Sequence, residues 1–253
     1  MFLAIDVGNT HTVLGLYEGP ELQHHWRLQT DPGRTLDEYG LMVRSLLNDA
    51  ERPSIQGVAI ACVVPTMTNV IEGVSRAYLG VEPLVVGPGI KTGMPIFYDN
   101  PREVGADRIV NAVAAYERTK DVTIIVDFGT ATTFDFVSKK GEYMGGVIAP
   151  GLGVASDALF ERAAKLYRVE LAKPKQVVGR NTINAIQSGL IYGYVALVDG
   201  LVERIRKENK CTGRVIGTGG FASLLAPEST TIEEIDEFLT LDGLRLLHER
   251  NHE

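Results

Sequence analysis

The chain opens on an apolar run, Phe2-Leu-Ala-Ile, which closes in Asp6 and Gly8 and resumes as Thr12-Val-Leu-Gly-Leu-Tyr17. That pattern predicts a strand, a tight turn and a second strand. Far along the chain the pattern returns: Val122-Thr-Ile-Ile-Val-Asp127 leads through Phe128-Gly129-Thr130 into Thr132-Thr-Phe-Asp-Phe-Val137. Aligned without gaps, Asp6 falls on Asp127, Gly8 on Gly129 and Thr12 on Thr133. Such self-similarity predicts an internal duplication, two similar halves each built around a hairpin.

Between the hairpins, residues 35–48 place Leu36, Tyr39, Met42, Val43, Leu46 and Leu47 on one helical face. Residues 57–64 are apolar and rich in β-branched side chains, a buried strand that Pro65 ends. Helical spacing then covers residues 66–78, 104–117 and 181–208, the last long enough to be a main packing element. Val215-Ile-Gly217 predicts a strand running into the glycine turn Gly217-Thr-Gly-Gly220, with a short helix at residues 221–225. The polar stretch around Lys120 sets the expected division, residues 1–119 and 120–253.

Composition narrows the classes. A chain of 253 residues that is 45% hydrophobic and 23% charged can bury a sizeable core in two domains. A net charge of -7 and a pI near 5.3 give nucleic acid no basic footing, so anionic ligands must be held locally. Cys62 and Cys211 are the only cysteines, which excludes a disulfide framework and suits a reducing cytoplasm. An aspartate within the first six residues does not fit an export signal. The apolar runs at 122–126 and 195–202 fall short of the roughly 20 residues that cross a bilayer, so no membrane is expected.

An acid at the end of a buried strand, followed by glycine and hydroxyl residues, suits phosphate and its metal. Glycine lets backbone N–H groups approach phosphate oxygens, and the carboxylate can hold magnesium directly or through water. A lone Asp-x-Gly is usually a β-turn, but two copies in matching places favour nucleotide binding. Gly87-Pro-Gly-Ile-Lys91-Thr92 is no P-loop, because Ile90 precedes the lysine and Pro95 arrives too early for a helix. Gly217-Thr-Gly-Gly220 satisfies the glycine spacing of a dinucleotide fold, yet too few residues follow to complete one. In residues 98–108, Gly105 and Ala106 give close access, Asp107 can accept a proton from a hydroxyl, and Arg108 can grip a carboxylate. The alternative is an acid and a base at a solvated helix start. Of the histidines, His24 and His25 fall in a polar strand or turn, and His248 and His252 in a frayed tail. His11 borders the first loop, with no partner histidine spaced for a metal site.

Taken together, Asp6-Val-Gly-Asn-Thr10, Gly105-Ala-Asp-Arg108, Val126-Asp-Phe-Gly-Thr-Ala-Thr-Thr133, Gly145-Gly-Val-Ile-Ala-Pro-Gly151, Asn181-Thr182 and Gln187-Ser-Gly189 resemble the type III pantothenate kinases, in order and across nearly the whole chain. The resemblance implies an α/β fold of duplicated actin-like (ribonuclease H-like) domains with an ATP cleft between the halves. It implies ATP-dependent phosphorylation of pantothenate, the first step of coenzyme A synthesis, by a homodimer whose active sites lie at the subunit interface. Carried over, ATP is bound by Asp6, Val7, Gly8, Asn9, Thr10, His11, Thr12, Val13 and Thr130. Tyr98, Gly105, Ala106, Asp107, Arg108 and Thr182 hold pantothenate, with Thr182 from the partner subunit. Asp107 is the proton acceptor, Asp127 binds a monovalent cation (potassium or ammonium), and Asp6 lies near the magnesium of ATP. The glycine turn 217–220 looks like the family's nucleotide-side turn. Leu166-Tyr167-Arg168 departs from relatives, which carry a proline after the leucine, and touches none of these residues. The competing readings are another small-molecule kinase of the same superfold and a catalytically idle regulator.

Overall fold

Burial of Leu3, Ile5 and Val7 together with Leu14 and Leu16 closes the first hairpin, β1 (Phe2–Val7) against β2 (His11–Glu18). In the computed structural model, which describes residues 1–50 and 54–252, the polar strand β3 (Glu21–Gln29) extends this hairpin antiparallel. Helix α1 (Leu36–Asp49) starts at a capping box: Thr35 Oγ1 accepts the Glu38 N–H while Glu38 accepts the Thr35 N–H. Strand β4 (Gly57–Cys62) is the buried strand that its apolar run predicts, and it lies parallel to β1. Pro65 both ends that stretch and opens α2 (Pro65–Val74), where its missing N–H costs nothing. A π turn (Ser75–Leu79) completes the expected helix, and β5 (Leu84–Val85) and α3 (Ala106–Thr119) follow.

The second half repeats the plan. Strands β6 (Thr123–Phe128), β7 (Ala131–Val137) and β8 (Tyr143–Pro150) form an antiparallel meander. Helices α4 (Leu152–Arg162) and α5 (Thr182–Asn209) follow, then β9 (Arg214–Thr218), α6 (Ala222–Leu225), β10 (Glu234–Ile235) and α7 (Leu239–His252). The sheet orders are β3-β2-β1-β4-β5 and β8-β7-β6-β9-β10, the same topology twice. The expected duplication is therefore present in the backbone. The gapless alignment fails in one detail: Asp6 faces Val13, whereas Asp127 faces Thr133. The second turn is shorter by a residue, so the structural counterpart of Thr12 is Thr132.

Two compact units result, Met1–Ala114 with Phe238–Glu253, and Ala115–Glu237. This differs from a single division at residue 120, because α7 returns to the first unit. Its Leu239, Leu241, Leu244 and Leu247 are buried, it packs on β1 and β4, and the His248 ring lies 4.7 Å from that of Phe2. The frayed tail expected at His248 and His252 is thus an ordered helix. In the second unit α5 is long and apolar enough, by length and composition, to cross a membrane, longer than the apolar runs alone suggest. Its Ile191, Val198 and Val202 enter that unit's core alongside Ile124, Val126 and Phe134.

Candidate active site

In the first unit the carboxyl ends of the parallel strands β1 and β4 lie side by side, the place where ligands bind in open α/β sheets. The turn after β1 closes with the Gly8 N–H donating to His11 O at 3.0 Å. It carries Asn9, Thr10 and His11 on the exposed side, with Asp6 and Gly8 half-buried beneath. Burial, and next the charge of Arg27, lower the His11 pKa, which favours the neutral imidazole beside this loop. Just past β4, the Val63 N–H donates to Val7 O at 3.0 Å, tying the two strand ends together.

The second cluster sits at the start of α3. Asp107 occupies its first turn, and its Oδ1 accepts the Arg108 N–H at 2.8 Å. Burial raises the Asp107 carboxyl above its ordinary value, against the opposing pull of that N–H and of the Arg108 charge. Arg108 is 6% exposed, so the solvated acid-and-base start considered above is not what forms. A methyl group placed on Gly105 would touch Val63 Cγ1 at 3.8 Å, so this segment borders the β4 end that holds the first loop. The chain therefore brings residues 6–13 and 105–108 to one edge of the first unit. Tyr98 is half-buried in the loop leading there.

In the second unit Asp127, last but one in β6, lies opposite Thr218 of the parallel β9, and the glycine turn that follows β9 packs against it. Gly219 has φ +89°, and a side chain there would overlap Asp127 Oδ1 and stand 2.7 Å from Phe128 N. The expected glycine turn thus belongs with Asp127. Thr130 is exposed at the tip of the second loop, where the Gly129 N–H donates to Ala131 O at 3.1 Å. Thr182 is exposed on the first residue of α5, whose start Asn181 caps by accepting the Asn184 N–H at 2.8 Å. The departure at Leu166-Tyr167-Arg168 is mild: Leu166 packs on the core, Tyr167 is exposed and Arg168 pairs with Asp157 at 2.7 Å.

One residue escaped the sequence. Thr30, just after β3, donates from Oγ1 to Gly8 O at 2.8 Å and from its N–H to Thr10 O at 2.9 Å. A threonine ending a polar strand carries no signal of that role.

Among the described residues no three His, Cys, Asp or Glu side chains gather as a metal cage. Magnesium bound with nucleotide needs no cage, because it keeps waters and phosphate oxygens and takes one or two carboxylates. Asp6, beside a glycine turn, fits that donor set.

Residues 2–204 match the family model described as type III pantothenate kinase. A Geobacter sulfurreducens protein named type III pantothenate kinase is 59% identical, with 100% of each chain covered. A Geotalea uraniireducens protein of the same name is 58% identical over the same coverage. Among solved structures, a ROK hexokinase from Thermus thermophilus aligns with TM-score 0.55 at 13% identity, covering 100% of this chain and 99% of that one. At that identity the likeness speaks to fold alone, the duplicated actin-like α/β arrangement.

Proposed function

The chain belongs to the type III pantothenate kinase family, and from that premise we propose that it transfers the γ-phosphoryl group of ATP to the primary hydroxyl of pantothenate. The product is 4′-phosphopantothenate, and the reaction opens coenzyme A synthesis. At the site, the reading is supported by one observation above the others: a glycine loop and a carboxylate with a raised pKa share one edge of the first unit.

Phosphoryl transfer asks mostly for positioning and charge stabilisation. Asp6, Val7, Gly8, Asn9, Thr10, His11, Thr12 and Val13 form the phosphate loop, and Thr130 is a further ATP contact. Asp107 takes the proton from the attacking hydroxyl; burial makes it a stronger base than a solvated carboxylate, and the Arg108 N–H fixes its orientation. Arg108 supplies the planar fork for the pantothenate carboxylate, while Tyr98, Gly105 and Ala106 line the substrate. Asp6 would hold the magnesium of ATP, which would supply charge neutralisation on the phosphates. Asp127 would hold potassium or ammonium, whose charge would offset a carboxylate that otherwise repels ATP.

The working form in this reading is a homodimer in which Thr182 of one protomer reaches pantothenate bound by the other. An apolar groove lined by Pro150, Val154, Ala158 and Leu159 supports an interface on the second unit, as does Ile148 at 63% exposure on β8. The free thiols of Cys62 and Cys211 suit a reducing cytoplasm.

The test is ATP turnover with and without pantothenate, in potassium and in sodium, with mass detection of product. Pantothenate-dependent formation of 4′-phosphopantothenate is expected. ATP hydrolysis indifferent to pantothenate would leave the fold and remove the substrate; no turnover would favour a regulatory relative.

A further inference from the structure

We propose that Thr30 is a positioning residue that sets the direction of the first phosphate loop, an inference that rests on the kinase reading of that loop. Thr30 is 7% exposed and makes three hydrogen bonds, two to the turn and one to Thr12 at the start of β2. Its N–H reaches Thr10 O at 2.9 Å, and its hydroxyl reaches Gly8 O at 2.8 Å and Thr12 Oγ1 at 2.9 Å. A hydroxyl has one proton. Because Thr30 Oγ1 gives its proton to the Gly8 carbonyl, the proton between the two threonines comes from Thr12, and all three atoms are locked in one order.

The peptide bond between Gly8 and Asn9 is planar and trans, so its C=O and N–H point in opposite directions. Holding the Gly8 carbonyl inward on Thr30 therefore turns the Asn9 N–H outward, on the side where Asn9 and Thr10 are exposed. Without the hydroxyl, only the flanking backbone bonds from Gly8 to His11 and from Thr30 to Thr10 restrain this peptide, and it rotates more readily. That motion would present a carbonyl where an anion needs a donor.

The second unit is an internal control. Gly151 follows β8 as Thr30 follows β3, and its N–H donates to Thr130 O at 3.0 Å, the counterpart of the Thr30 bond to Thr10. A side chain on Gly151 would overlap the carbonyls of Gly129 and Thr130, so no hydroxyl can pin that loop. Among the described residues the Thr132 hydroxyl, counterpart of Thr12, is buried with no hydrogen-bond partner. The shorter second turn is fixed by closing directly from Gly129 to Ala131. The first loop, a residue longer, closes from Gly8 to His11 and is held by the Thr30 hydroxyl besides.

Thr30→Val removes the hydroxyl at nearly constant shape, and Thr30→Ser keeps it. Relative to wild type, T30V should raise the ATP KM or lower kcat by about tenfold to a hundredfold, leaving the pantothenate KM within about twofold. T30S should restore ATP kinetics to within about threefold. Amide exchange of Gly8, Asn9 and Thr10, followed by mass spectrometry, should quicken in T30V and not in T30S. Unchanged exchange in T30V, or a T30S enzyme as impaired as T30V, would overturn the proposal. Should wild type fail to phosphorylate pantothenate, the kinase reading falls by itself, while the exchange measurement still decides whether Thr30 pins the loop.

Discussion

The Gly105 Cα packs against the Asp107 carboxylate so closely that a methyl group on Gly105 would stand 2.5 Å from Asp107 Oδ1. The obstructing atom is the end of a side chain, so Gly105→Ala is relieved by rotating the carboxylate, not by moving α3. That rotation breaks the 2.8 Å bond from the Arg108 N–H and misaims the carboxylate proposed as the base. The expected outcome is a kcat lower by roughly 10²-fold, the scale of a misplacement near 1 Å, with a melting temperature close to wild type. Steady-state kinetics and a thermal melt on the same preparation check it; unaltered kcat would detach Asp107 geometry from catalysis.

Asp107 itself gives a prediction with two signs. Burial raises its folded-state pKa above the unfolded value, so in that window the native state binds more protons. Stability from this group is present below the unfolded pKa and is lost as pH rises through the folded one. Asp107→Asn removes the loss and should melt higher than wild type at neutral and alkaline pH, with the difference vanishing in acid. Turnover should fall by about 10² to 10⁴, and the wild-type acid limb should lie above the ordinary carboxylate range. A variant equally active, or less stable at neutral pH, would contradict the assignment.

Gly219 differs from Gly105 because its neighbours include backbone. With φ +89° and Phe128 N at 2.7 Å from an added methyl, Gly219→Ala strains the turn and displaces the Asp127 carboxylate together. A destabilisation of about 1–3 kcal/mol is expected. Wild-type activity should collapse when potassium is replaced by sodium, and the variant should have lost that response. Melting curves and a potassium titration of both proteins check this; wild-type activity indifferent to the cation would remove Asp127 from cation binding.

The hairpins, their repeat and the helix bearing Asp107 were legible because periodicity and strand-end acids are local properties. The one-residue difference between the turns was not, since Thr132 and Thr133 are both threonines and a gapless match costs nothing in sequence. Thr30 was invisible because its bonds join the end of β3 to the turn after β1 across the sheet. The return of α7 to the first unit was hidden for the same reason. Leu239, Leu244 and Leu247 announce a buried face without naming the sheet that buries it.

That returning helix bears on the loop rejected as a P-loop. The Asn251 amide brackets Lys91, with the Lys91 N–H donating to Oδ1 at 2.9 Å and Nδ2 donating to Lys91 O at 3.1 Å. Arg250 adds a bond to Thr92 O at 2.6 Å. The backbone of residues 91–92 is thus committed to α7, and the chain beyond buries Met94 before reaching Tyr98, which we propose lines the substrate. Asn251→Ala removes both bonds to Lys91 and should cost about 1–2 kcal/mol of stability. Because the loop leads to Tyr98, the pantothenate KM should rise several-fold, by about threefold to tenfold, with the ATP KM unchanged. Initial rates with each substrate varied separately decide it. A rise confined to the ATP KM would return residues 87–92 to the nucleotide, and an unchanged pantothenate KM would mean that α7 anchors the loop without shaping the substrate side.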